Sequence, residues 1–201
     1  MTDQSEPLAR DELVIVLIGA SAVGKSTIAR HLCDAGLVEA TPTWATRTPR
    51  PGEQSTNYDH RFVTDEEFDR QDAGGGFIDQ HAFYGARYGV TPLNKPEDNR
   101  EALVVLKPVF MPAFIDYYPE ARIYQIEAST EKLSARMHAR GQSIEDITER
   151  MRLHAREAAD ARRYAHVVFS NNGAIEQAME AVEAQIHADR AAHDSKLLSK
   201  A

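Results

Sequence analysis

Cysteine is almost absent from this chain: Cys33 is the one thiol in 201 residues, so no internal disulfide can form. Long apolar runs are missing too, because the longest, Leu13 to Ile18, is a third of the roughly 18 residues that a membrane span needs. Basic residues are in deficit, with 31 acids against 23 bases and a formal net charge of −8. Such a surface does not attract nucleic acid or an anionic membrane, and any anion site must be a local cluster of cations. Met1 to Glu12 lack the basic start and apolar centre of a signal peptide, so the expected location is cytoplasmic. His31, His81, His138 and His154 have no ligand-like spacing to cysteines or acids, and no metal cage built by protein is expected. There is no internal repeat and no low-complexity tract. What remains is ordinary for one globular domain: 42% hydrophobic and 27% charged residues, enough to bury a sizeable core.

Leu13-Val-Ile-Val-Leu-Ile18 has no polar alternation, which suits a strand buried on both faces of a parallel sheet. A helical pattern runs from Lys25 through Ile28, Ala29 and Leu32 until Gly36 stops it. Apolar strands recur at Leu103 to Leu106, Arg122 to Ile126 and Val167 to Phe169. Between and after them lie helical stretches at Pro108 to Tyr117, Thr130 to Arg140, Ile144 to Arg163 and Ala174 to Arg190, and the last ten residues read as a frayed polar tail. This alternation predicts an α/β fold with a doubly wound parallel sheet, its core at 13–45 and 101–190. Residues 46–99 break the rhythm with Gly, Pro, Asp and aromatics, and predict a small inserted mixed subdomain. It holds strand-like pieces near Phe62 and at Phe77 to Phe83, and a helix opened by the capping box Thr64-Asp65-Glu66-Glu67.

Gly19-Ala20-Ser21-Ala22-Val23-Gly24-Lys25-Ser26 fits G-x-x-x-x-G-K-[ST], the Walker A phosphate loop, between a strand and a helix as that motif demands. Glycines let successive N–H groups turn inward, and the helix N-terminus adds positive potential. In this pattern Lys25 reaches the β and γ phosphates of a nucleoside triphosphate and the Ser26 hydroxyl ligates Mg²⁺. The loop by itself does not separate a GTPase, an ATPase motor and a small-molecule kinase.

Farther along, Thr46-Arg47-Thr48-Pro49-Arg50-Pro51-Gly52-Glu53 sets two arginines three residues apart in a segment stiffened by prolines, so two guanidinium groups meet one phosphate with little ordering cost. Arg136 and Arg140 stand one helical turn apart before Gly141, where arginines can stabilise charge on a transferring phosphoryl group. Taken in order, Gly19 to Thr27, Thr46 to Glu53, Phe62-Val63, Phe77-Ile78-Asp79, Gly85-Ala-Arg-Tyr88-Gly89, Arg136 to Gly141, Arg150 and Asn171 resemble the motifs of the guanylate kinase family, over about Val14 to Val182.

The resemblance implies a P-loop kinase with an acceptor-binding insert and a helical lid at about 136–152. It implies that Gly19 to Thr27 and Asn171 hold ATP, that Lys25, Arg136, Arg140 and Arg150 serve phosphoryl transfer, and that Arg47, Arg50 and Tyr88 hold the acceptor phosphate. Thr43 offers its hydroxyl to the base, and the family's guanine-reading acid falls on Asp79, a shorter carboxylate than the usual Glu. The second phosphate-binding tyrosine is displaced by an extra residue after Glu53, so Tyr58 or His60 takes its place, with Tyr58 preferred. The larger departure is at the end of the strand Leu103 to Lys107, where Val105 and Lys107 stand in place of the family's Asp residues. The expected activity is transfer of the γ-phosphoryl of Mg·ATP to a nucleoside monophosphate, GMP first. Two alternatives stay open: a kinase of another phosphorylated small molecule such as a ribose bisphosphate, and a catalytically weak nucleotide- or protein-binding module.

Overall fold

The first strand, β1 (Val14–Ile18), is buried along its whole length. Its residues alternate between two cores. Ile15 and Leu17 join Ile28, Leu32, Val182 and Ile186 on one face, and Val14, Val16 and Ile18 join Met111, Phe114 and Tyr118 on the other. Two apolar faces explain the missing polar alternation. The computed structural model describes residues 6–49, 58, 60–83, 85–96, 98 and 100–199.

Around β1 the strands β2 (Val38–Ala40), β7 (Glu101–Val105), β8 (Arg122–Glu127) and β9 (Val167–Ser170) form a sheet in the order β2-β7-β1-β8-β9, parallel throughout. From β1 the chain first builds outward through helix α1 (Lys25–Asp34) to β2, and later builds on the opposite side with β8 and β9. Loops leaving the C-terminal ends of these strands therefore meet beside β1, where open α/β sheets bind ligands. Cys33 is half-buried on α1, and burial pushes its thiol up, away from the reactive thiolate.

A second sheet combines β3 (Thr43–Ala45), β4 (His60–Phe62), β5 (Asp79–Phe83) and β6 (Ala86–Val90) in the order β4-β3-β6-β5. It is mixed, because β3 and β4 run parallel while β3, β6 and β5 pair antiparallel. It begins at Thr43, ahead of the expected 46. Strands β2 and β3 are three residues each on either side of Thr41-Pro42, too short for a periodic pattern to register. Helix α2 (Asp65–Ala73) opens with the full capping box: the Glu67 amide donates to the Thr64 hydroxyl at 3.2 Å, and the Glu67 carboxylate accepts from the Thr64 amide at 2.9 Å.

Helix α3 (Met111–Tyr117) follows a single 3₁₀ turn at Pro108–Phe110. Helices α4 (Thr130–Ala139) and α5 (Ile144–Arg162) are capped by Ser129 and Ser143, whose hydroxyls accept from Lys132 and Asp146 amides. The last helix, α6 (Ile175–Leu198), corrects the expected frayed tail. It continues past Arg190 because its polar residues clamp the N-terminal ends of the strands. Arg190 pairs with Glu101 at 2.5 Å, Asp189 with Arg122 at 3.5 Å, and Lys196 with Glu120 at 2.6 Å. These partners lie far away in sequence and leave no local periodicity. Among the described residues no helix is long and apolar enough to cross a membrane.

The innermost of these ties is Tyr124, fully buried on β8, whose hydroxyl donates to Asp189 Oδ2 at 2.6 Å. Burial, and then the neighbouring carboxylate, push the phenol well above its ordinary range, so it remains a donor. Tyr124→Phe is expected to cost about 1.5 to 3 kcal/mol, the worth of a hydrogen bond to a charged group, and to lower the melting temperature by several degrees in calorimetry.

Candidate active site

The turn from β1 into α1 uses three positive φ angles: 143° at Gly19, 66° at Ala22 and 107° at Gly24. At Gly19 no side chain fits, since a Cβ there would run into the Ile126 carbonyl oxygen. Ala22 is a non-glycine residue held in the left-handed region, a local strain that its surroundings must sustain. They do so by gripping the carbonyls on the outside of the loop. Asn171, fully buried, donates from Nδ2 to the Val23 carbonyl at 2.8 Å. Arg136 donates to the carbonyls of Ala22, Val23 and Asn171 at 3.4, 3.3 and 2.9 Å. The Lys25 ammonium folds back over the loop onto the Gly19 and Ala20 carbonyls, at 2.8 and 2.9 Å.

Beside the loop lies a cavity of about 270 Å³. Ser21, Ala22, Lys25 and Ser26 form one wall, and Thr43, Arg47, His60 and Tyr88 from the second sheet form the opposite one. Val105, Leu106, Lys107 and Phe110 lie where β7 ends, while Arg140, Gln142 and Arg150 come from the turn between α4 and α5 and from α5 itself. Among the described residues the lining holds five cations and no carboxylate. In a chain of net charge −8 this is the local cation cluster that an anion site requires.

Several side chains on these walls are held in place. Arg47 lays its guanidinium 4.9 Å over the Phe62 ring and donates to the Thr48 carbonyl at 3.2 Å. Arg140 closes α4, and Gly141, at φ 71°, releases the chain beyond it. Lys107 Nζ lies 3.4 Å from the Glu157 carboxylate and 5.0 Å from the Phe83 ring centroid.

Of the residues expected to hold ligands, the cavity brings together Ser21, Ala22, Lys25, Ser26, Thr43, Arg47, Tyr88, Arg140 and Arg150. Gly19, Ala20, Val23, Gly24 and Thr27 shape the loop and the start of α1 from outside the lining. Arg50 lies outside the described residues. Of the two candidates for the second phosphate-binding ring, Tyr58 packs against the core around β1 and α1, and His60 lines the cavity. Strand register decides this, since His60 sits opposite Thr43 in the β3–β4 pair. Asp79 is not in the lining; its carboxylate meets His81 Nε2 at 2.9 Å and accepts from the Gln80 amide at 2.8 Å. Arg136 does not share Arg140's place, because it is spent on the outer carbonyls of the loop. Glu127 accepts from Gln125 and pairs with Arg162 of the neighbouring helix, outside the cavity. Sequence reasoning missed Gln142, whose buried Oε1 has no hydrogen-bond partner among the described residues. Its position directly after Arg140-Gly141 was the available signal.

Comparison with known proteins decides the family. The chain is 30% identical to the guanylate kinase of Syntrophus aciditrophicus over 181 residues, 88% of this chain and 86% of that one. It is 31% identical to the guanylate kinase of Symbiobacterium thermophilum over 186 residues, with 89% and 86% covered. The chain belongs to the guanylate kinase family, and with it to the nucleoside monophosphate kinases. No family model matches the chain. In fold it is similar to the crystal structure of guanylate kinase from Anaplasma phagocytophilum, with TM-score 0.68, 23% identity, and 90% and 88% of the two chains covered. A gluconokinase from Sinorhizobium meliloti 1021 shares the fold at TM-score 0.53 and 14% identity, covering 95% and 99%.

The grip on the guanylate kinase loop gives a direct test. Gly19→Ala puts a methyl group against a backbone carbonyl that cannot swing away, so the loop must deform. Nucleotide affinity, measured by fluorescence titration, is expected to fall at least about tenfold while the circular dichroism spectrum stays native.

Proposed function

We propose that this kinase, acting in the cytoplasm, moves the γ-phosphoryl group of ATP to a nucleoside monophosphate, with GMP as the preferred acceptor and GDP as the product. The observation that carries the reading is a cavity with a phosphate loop on one wall, Thr43, Arg47 and Tyr88 on the other, and lid arginines beside both. The guanylate kinase relatives support the choice of GMP.

ATP enters with its phosphates on the inward amides of Gly19 to Thr27, and Lys25 leaves the Gly19 and Ala20 carbonyls to meet the β and γ phosphates. Arg47, with Arg50 beside it in sequence, and Tyr88 hold the acceptor phosphate. Arg140 and Arg150 come onto the transferring group and neutralise the charge that grows there; catalysis is positioning and electrostatics, with no covalent protein intermediate. Arg136 and Asn171 keep the loop in shape for ATP. Residues 46–99 act as the acceptor-carrying unit and about 136–152 as the lid, and their closure excludes water that would otherwise hydrolyse ATP. Asp79 must leave His81 to reach a base.

Ser26, the hydroxyl of the Walker A pattern, would hold Mg²⁺, with the remaining ligands coming from phosphate oxygens and water, because the described lining has no carboxylate and Val105 and Lys107 stand at the end of β7. When bound with ATP, Mg²⁺ supplies neutralisation of phosphate charge. The same lack of a lining carboxylate, together with Lys107, favours a second reading in which the acceptor is more anionic than GMP, such as a ribose bisphosphate.

A phosphoryl-transfer assay with ATP against a panel of nucleoside monophosphates and phosphosugars tests both. GMP is expected to give the highest kcat/KM; a phosphosugar turned over in its place favours the second reading. Lys25→Ala and Arg140→Ala are each expected to lower kcat at least about a hundredfold, the effect of losing one preorganised charge contact. Undiminished turnover in Lys25→Ala removes the phosphate loop from the mechanism.

A further inference from the structure

Lys107 stands in the wall between two cavities. The first is the phosphate-loop cavity; the second, of about 400 Å³, lies between α5 and the 3₁₀ turn that follows β7. Phe83, Pro108, Val109 and Leu153 give the second an apolar lining, and among the described residues Lys107 alone belongs to both linings. Its backbone is fixed. The Leu106 amide donates to the Leu17 carbonyl at 3.0 Å, which ties the end of β7 to the strand that feeds the phosphate loop. Pro108 confines the residue before it to extended backbone, and Lys107 has φ −88° and ψ 153°. The flexible four-carbon stem is what is left to move.

That stem carries the ammonium away from the first cavity. Nζ lies 3.4 Å from Glu157 Oε1 and 5.0 Å from the Phe83 ring centroid, and both of these partners line the second cavity and not the first. Glu157 follows Arg150 by two turns on the same face of α5, so one helix face gives a cation to the first cavity and a carboxylate to the second. The ion pair is loose. Its 3.4 Å exceeds the roughly 2.7–2.9 Å of a tight charge-assisted bond, and the two side chains remain 30% and 25% exposed. A cation held loosely on a flexible stem beside an anion cavity has a second place to go.

We propose that Lys107 reads the charge of the acceptor from two positions. It stays with Glu157 and Phe83 when the acceptor carries one phosphate, and swings into the first cavity to meet the second phosphate of an acceptor that carries two. This rests on the cavity's being the acceptor site of a phosphotransferase, and it deepens the reading of an acceptor more anionic than GMP. A single acceptor phosphate is met by Arg47 and the lid arginines, so Lys107 gains little by leaving its carboxylate. A second phosphate attracts the ammonium more strongly than one carboxylate does at equal distance. Glu157 is thus a positioning residue, and its charge sets how anionic an acceptor must be before Lys107 moves.

The test measures acceptor and ATP KM, with GMP and a ribose bisphosphate run in parallel. Lys107→Met keeps the apolar stem and is expected to raise the bisphosphate KM about tenfold, while the GMP KM changes by less than about twofold. Glu157→Gln removes the competing charge and lowers the bisphosphate KM severalfold, with the ATP KM unchanged. In the Lys107→Met background Glu157→Gln has no effect, because it acts through the ammonium. A purely structural Glu157 gives the opposite sign, since loosening α5 raises both acceptor KM values. That opposite sign, a Glu157→Gln effect that persists without Lys107, equal losses for the two acceptors in Lys107→Met, or a bisphosphate that neither reacts nor competes with GMP in an active enzyme overturns the proposal. If the bisphosphate is phosphorylated and GMP is not, the GMP reading fails and Lys107 keeps its role. If neither is phosphorylated, the proposed activity fails, and NMR of the lysine side chains tests Lys107 by itself. Held over the Phe83 ring, its ε-methylene protons are shifted upfield, and the resonance missing from Lys107→Met identifies them. Inorganic pyrophosphate is expected to move that resonance toward the position of an unstacked lysine, and no movement overturns the two-position assignment.

Discussion

The Val23 carbonyl is the point from which the cavity is laid out. Asn171 and Arg136 both donate to it, and through it they hold a loop whose φ angles at Gly19, Ala22 and Gly24 would not persist alone. The grip links distant parts of the chain: Asn171 follows β9, its amide donates to the Glu127 carbonyl at the end of β8, and Arg136 comes from α4. The strain in the loop is thus sustained by the far side of the main sheet. The carbonyls of Gly19, Ala20, Ala22 and Val23 are all occupied by donors, which fixes the orientation of the peptides that carry them.

Charge is the second organising element. The lining cations are brought from the loop, the second sheet, the end of β7 and the α4–α5 segment, and no single one of these elements is strongly basic. Such a convergence concentrates positive potential in a chain whose overall charge is negative. Lys107 belongs to this group by position, yet Glu157 and the Phe83 ring also hold it, so its charge is shared between the cavity and α5.

Local features were legible in the sequence, and features that depend on pairing were not. The run Val14–Ile18, the loop to Ser26 and the Thr64 capping box each carry their signal within a few residues, and each is found where that signal put it. Tyr58 and His60 show the opposite case. Both are aromatic rings near the expected spacing, and only the register of β4 against β3 turns His60 inward. Arg136 and Arg140 share a helical face in sequence, but one is spent on loop carbonyls, a distinction that helix periodicity does not carry. The length of α6 was hidden for the same reason, since its stabilising partners are Glu101, Glu120 and Arg122.

The clamps made by α6 all lie at the N-terminal ends of β7 and β8, the edge of the sheet opposite the cavity. One edge of the sheet is thus given to holding the strands together and the other to loops that meet the ligand. A scaffold partitioned in this way leaves the loops at the ligand edge room to diverge while its architecture stays fixed.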